Sequence, residues 1–111
     1  MTDGAGATTA LEFVKMTVAP ENEDAFLRDR PAAIEALRRA FPGLREAWLF
    51  RGEEPGVWYD VLFWDSIQSA RTAAAGAAAL PEAAAWFAHI GELITMEHGT
   101  LAHELGHSAE A

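Results

Sequence analysis

The sequence contains no cysteine, which excludes a disulfide framework, a thiolate nucleophile and any cysteine-ligated metal. Basic residues are scarce: 8 lysines and arginines stand against 17 aspartates and glutamates, a formal net charge of −9. Such a chain repels phosphate backbones and anionic lipid, so neither a nucleic-acid nor a membrane partner is expected. No apolar run is long enough to span a bilayer, and no charged segment followed by an apolar one opens the chain as a secretory signal would. Together these absences fit a cytoplasmic protein. Glycine-rich phosphate loops and serine nucleophile elbows are missing as well.

What is present is a chain of 111 residues, half of them hydrophobic, enough for one modest core. Met1 to Ala10, rich in Gly, Thr and Ala, reads as a flexible leader. Residues 11–102 read as a single domain, and 103–111 as a polar tail. The organising stretch is Val57 to Trp64, eight strand-forming residues around one aspartate. Alternation puts Trp58, Asp60, Leu62 and Trp64 on one face and Val57, Tyr59, Val61 and Phe63 on the other. Neither face suits water, so this strand is expected at the centre of a sheet covered on both sides.

Around it the order is strand, helix, strand, strand, helices, strand. Leu11–Val18 alternates, with Val14, Met16 and Val18 on one side and Leu11, Phe13, Lys15 and Thr17 on the other. Asn22 can cap a helix whose apolar stripe is Phe26, Leu27, Ile34, Leu37 and Phe41. Pro31 should kink or restart that helix, and Pro42-Gly43 ends it. Leu44–Arg51 carries Trp48 and Phe50 on one face, and a Gly-Glu-Glu-Pro-Gly turn joins it to the central strand as a hairpin. Ser66 caps an alanine-built helix over 67–79, with Gly76 weakening its middle. A third helix runs from Leu80 to His89 or Ile90, and Leu93–Ala102 is the last strand. This order is the ferredoxin-like split βαβ arrangement, an α+β fold with a four-stranded antiparallel sheet and helices on one face. The uncovered face, with Phe13, Tyr59, Val61 and Phe63, calls for a second copy of the sheet and hence a homodimer.

Over Leu11 to about Glu104 the chain resembles the antibiotic biosynthesis monooxygenase superfamily of dimeric α+β barrels. The residues that carry the likeness are Val18-Ala19-Pro20 before a Phe-containing helix, Phe41-Pro42-Gly43-Leu44, and Leu62-Phe63-Trp64-Asp65-Ser66. The resemblance implies a pocket between sheet and helices and dimerisation through the opposite sheet face. It also implies cofactor-free oxygenation of polycyclic aromatic substrates, or haem degradation, as activities found among members. The family's strand-three tryptophan matches Trp64. Its strand-one asparagine and helical histidine fall at Val14 and about Ala73, which cannot donate a hydrogen bond from the side chain.

For chemistry, the residues singled out are Asp60, His98 and His89, with Val14, Met16, Trp48, Trp58, Trp64 and Trp86 as the ligand-binding set. Asp60 between tryptophans is costly unless paired. It can serve as a general base, as the fixed partner of a histidine, or as a salt-bridged structural carboxylate. His98, grouped with Ile94 and Met96, enters the cavity if that side faces the helices, and His89 follows Trp86 by three. Lys15 is expected on the dimer face, paired with Glu97. The tail spells His103-Glu104-Leu105-Gly106-His107, a literal H-E-x-x-H. Gly106 and the lack of a downstream ligand argue against a zinc site there, so neither metal nor cofactor is expected. The leading expectation is a dimer that binds a small, apolar or aromatic molecule, as a cofactor-independent monooxygenase or related tailoring enzyme. The alternatives are a non-catalytic ligand-binding or stress-response dimer of the same fold, and a zinc hydrolase using the tail.

Overall fold

A computed structural model describes residues 8–105. It consists of β1 (Ala10–Thr17), a 3-10 turn at Pro20–Asn22, α1 (Glu23–Ala40), β2 (Leu44–Arg51), β3 (Val57–Trp64), α2 (Ile67–Gly76), a second 3-10 turn at Ala77–Ala79, α3 (Pro81–Phe87) and β4 (Glu92–Thr100). All pairings are antiparallel, in the spatial order β2-β3-β1-β4. This is the ferredoxin-like α+β arrangement, with β1 and β3 at the centre and β4 at an edge.

The register of β1 on β3 decides which side chains meet. Ala10, Glu12, Val14 and Met16 oppose Trp64, Leu62, Asp60 and Trp58, and all eight are buried. These even-numbered residues form the sheet face beneath the helices. The odd-numbered ones point away, where Phe13 stacks on Tyr59 with ring centroids 5.8 Å apart. The hairpin turn between β2 and β3 requires Gly56, whose φ of +83° lies in the left-handed region.

Helix α1 seals one end of the face with Phe26, Ala33, Ala36 and Leu37. The structure corrects the expected stripe here, because Leu27 lies on the outer surface, 40% exposed. Pro31 neither breaks nor restarts the helix, which runs unbroken from 23 to 40 with Pro31 on its exposed side. Asn22 makes no capping bond through its side chain, since the preceding 3-10 turn already leads the chain into α1. Ser66 does cap α2, its hydroxyl accepting from the Ser69 amide at 3.0 Å. Gly76 closes α2 rather than interrupting it, and the alanines after it tighten into the 3-10 turn. Helix α3 is held to α1 by Trp86, whose indole N–H donates to the Phe26 carbonyl at 2.8 Å.

Three details of β1 and β4 differ from expectation. Ala10 opens β1 and is fully buried, so the strand begins one residue inside the supposed leader. A bulge between Lys15 and Met16 pairs Met16 with Leu93 and Lys15 with Thr95. It therefore brings Leu93, not Ile94, onto the Met96 face. The expected Lys15–Glu97 ion pair is absent among the described residues. Glu97 lies opposite Phe13, and the Lys15 ammonium sits 6.0 Å from the centroid of the Tyr59 ring.

Candidate active site

Between sheet and helices lies a cavity of about 400 Å³. Val14, Met16, Leu62 and Trp64 supply its floor, and Trp86 and Phe87 one wall. Its roof is the alanine run, Ala73, Ala74, Ala77 and Ala78. The space exists because that roof carries no side chain longer than a methyl group. At the buried positions Ala73 and Ala77 a larger residue would intrude on this space.

Among the described residues, the charged side chains that line this cavity are two, and both are acidic: Glu12 and Asp60. They differ in what holds them. Asp60 accepts two hydrogen bonds from Arg30, 2.8 Å to Oδ1 and 3.0 Å to Oδ2, in a nearly buried pair. The guanidinium also lies 5.2 Å from the centroid of the Trp86 ring. Burial holds the Asp60 carboxyl above its ordinary range, against the opposing pull of the two Arg30 bonds. A guanidinium does not deprotonate in a protein, so Arg30 remains a cationic donor to both Asp60 oxygens. That pair is an anchor between β3 and α1 rather than a free base.

Among the described residues Glu12 has no cationic partner. It is 8% exposed, and Oε1 accepts from the indole N–H of Trp64 at 2.9 Å. Its carboxyl is pushed up to about 7, first by burial and further by the charge on Asp60, while the Trp64 bond opposes the rise. A carboxyl that exchanges its proton near neutrality, inside an apolar cavity, is suited to general acid–base work. The bond to Trp64 fixes one oxygen, and Oε2 carries no hydrogen bond among the described residues.

Of the singled-out residues, Asp60, Val14, Met16, Trp64 and Trp86 line the cavity; Trp48, Trp58, His89 and His98 do not. Trp48 faces the other way, edge-on to Phe63 and 45% exposed. Trp58 is core, packed on Phe26 and beneath the Arg51 guanidinium at 4.4 Å, with its indole N–H unpartnered. His89 lies beyond the end of α3 and bonds Asp29 on α1 at 2.8 Å, which holds the Asp29 carboxyl below its usual range. His98 stands opposite Glu12 on β4, with Nε2 buried and unpartnered among the described residues, yet outside the cavity lining. No cluster of three or more metal-ligating side chains occurs among the described residues. Within H-E-x-x-H, His103 and Glu104 lie in irregular chain after β4, and His107 lies outside the described residues.

Sequence reasoning missed Glu12 and Arg30, although both carried a signal. Glu12 shares the parity of Val14 and Met16, and Arg30 falls four residues after Phe26 and three before Ala33. Each is a charged residue at an inward position of its element.

The sequence profile of antibiotic biosynthesis monooxygenases matches residues 10–88. The chain belongs to this family. Among solved structures, SnoaB, a cofactor-independent oxygenase from Streptomyces nogalater, is 24% identical, covers 91% of this chain and 98% of its own, and superposes with a TM-score of 0.61. A family candidate from Bordetella bronchiseptica is 17% identical over 86% of this chain and 99% of its own, with a TM-score of 0.73. MupZ from Pseudomonas fluorescens is 13% identical over 82% and 70%, at 0.64. No match was found among curated proteins. None of the described helices is long and apolar enough to cross a membrane.

Proposed function

We propose that this family member binds a small, flat, largely apolar molecule in the cavity and oxygenates it without a cofactor, with Glu12 as the base. One observation carries the reading: a carboxyl without a cationic partner lines an apolar cavity, positioned by Trp64 and pushed up to about 7. Membership of a monooxygenase family, and the shared fold of the oxygenase SnoaB, support the reaction class.

The chemistry balances with molecular oxygen alone. Ionised Glu12 takes a proton from an acidified C–H, leaving a carbanion whose charge spreads over an aromatic system. The carbanion gives its electrons to O2 and a C–O bond forms. The resulting peroxide takes the proton back from Glu12 and loses water, so a CH2 becomes a C=O. Asp60, tied to Arg30, holds the cavity wall, and Trp86 bounds the ring.

Anthrone is a fitting probe, being neutral, tricyclic and acidic at one CH2. The protein, stripped with chelator and free of flavin, should consume one O2 per anthraquinone formed, well above the solution rate. Turnover that depends on added metal or flavin would reject the reading. Saturable binding with no turnover would favour the non-catalytic alternative.

Homodimerisation is part of this proposal. On the sheet face away from the helices, Trp48 and Phe50 are 45% and 51% exposed beside Phe13, Tyr59 and Phe63, an apolar surface that a second sheet would cover. Sedimentation equilibrium should return twice the chain mass of 12.0 kDa, and Trp48→Glu should return one. A wild-type monomer at micromolar concentration would contradict it.

A further inference from the structure

The polar lining of the cavity is one-sided. Among the described residues, Glu12 and Asp60 are its only ionisable side chains, and neither lysine, arginine nor histidine lines it. The nearest cation, Arg30, has a guanidinium nitrogen on each Asp60 oxygen and lies outside the lining. Among the described residues, no other basic group around Glu12 lines the cavity. His98 faces it from β4 without lining the cavity, and α2 presents alanines there while its one charged residue, Arg71, is exposed. Ionised carboxylates are acceptors only, so any hydrogen bond that they share with an occupant uses a donor on the occupant. A negative charge on an occupant lying against the sheet meets no counter-ion in the lining among the described residues and faces one or two carboxylates in largely apolar surroundings.

We infer that the cavity discriminates by charge: it accepts uncharged ring compounds and rejects those bearing a free carboxylate. The specificity-determining residue is Glu12, because Asp60 is already neutralised by Arg30. This rests on the reading of the cavity as an aromatic site, and it adds a constraint on sequence of reactions. Where the substrate's precursor is a carboxylic acid, the preceding step is an esterification or a decarboxylation that removes the negative charge.

A matched pair separates the charge effect from ring binding. Methyl 1-hydroxy-2-naphthoate and 1-hydroxy-2-naphthoic acid share one ring system and differ in charge. Their binding to the full chain can be followed by quenching of tryptophan fluorescence or by calorimetry. At pH 8 the ester should bind at least about tenfold more tightly than the acid, the ratio that one unit charge facing Glu12 at modest effective dielectric would produce. In Glu12→Gln, which keeps the acceptor for Trp64 and removes the charge, the acid should gain about tenfold while the ester changes little. At pH 5.5, where Glu12 is protonated, the wild-type gap should close in the same way.

Equal binding of acid and ester at pH 8 overturns the inference while leaving the aromatic site standing. So does a gap that persists in Glu12→Gln, since another residue would then set the charge preference. Saturable binding of neither compound removes the aromatic site itself, and the charge rule with it.

Discussion

Glu12→Gln should lower turnover of anthrone by about 10²- to 10⁴-fold, the usual contribution of a positioned base, and should at the same time stabilise the protein at pH 8. The two effects have one cause. A carboxyl raised from 4.5 to about 7 binds a proton more tightly in the folded than in the unfolded chain. Its stabilising effect is therefore fully present below pH 4.5 and is lost as pH rises through 7. Across that window the wild type should lose about 3 kcal/mol from this group alone. Glutamine carries no charge to desolvate and still offers Oε1 to Trp64. The variant should therefore melt roughly 10 °C above wild type at pH 8 and match it near pH 4.5. Thermal denaturation at several pH values checks the second effect and oxygen uptake the first. A variant that loses activity but melts lower than wild type at pH 8 would place Glu12 in a structural role.

Arg30→Met should be among the most destabilising single changes in the chain, by about 3–5 kcal/mol. It strips Asp60 of both hydrogen bonds and its counter-ion, leaving a buried carboxylate that must be protonated for the chain to fold. The signature is a pH dependence: Arg30→Met should recover stability as pH falls and the orphaned Asp60 takes up a proton. The double variant Arg30→Met with Asp60→Leu should recover most of the loss at neutral pH, because a buried pair replaced by apolar residues of similar size is often neutral in effect. Chemical denaturation of the two variants and wild type measures both. A double variant as unstable as Arg30→Met would locate the cost elsewhere, in the contact of Arg30 with Trp86.

The fold was legible because its signals are periodic. The alternation of Val57 to Trp64 gave both the central strand and its buried face, and the Gly56 turn gave the hairpin. Family resemblance then reached the pocket. Placement within the pocket was less legible, for a reason visible at Trp48 and Trp58. A tryptophan's size says that it is buried somewhere, but not in which layer. Trp48 faces away from the helices, and Trp58 shares the right face but packs under Phe26, one register step from the cavity. His89 was misread because the helix ends at Phe87, so helical spacing no longer applies two residues later.

Glu12 and Arg30 were passed over because a charged residue is solvated in most helices and strands. Here both sit where the period demands an apolar side chain, and only the register of β1 on β3 and of α1 over the sheet brings Glu12 to Trp64 and Arg30 to Asp60. Breaks in an otherwise consistent inward pattern are where function is expected. In this chain both acidic breaks, Glu12 and Asp60, open into the cavity, and the basic one neutralises Asp60.

Direct titration of the Glu12 carboxyl carbon by NMR, in protein labelled at glutamate and assigned through Glu12→Gln, is the most direct test of Glu12 as the base. The structure predicts a midpoint of about 7, separate from the exposed glutamates. A midpoint at the ordinary 4.5 would mean that water or a cation reaches the carboxylate, and would contradict the assignment of Glu12 as a base tuned to neutral pH.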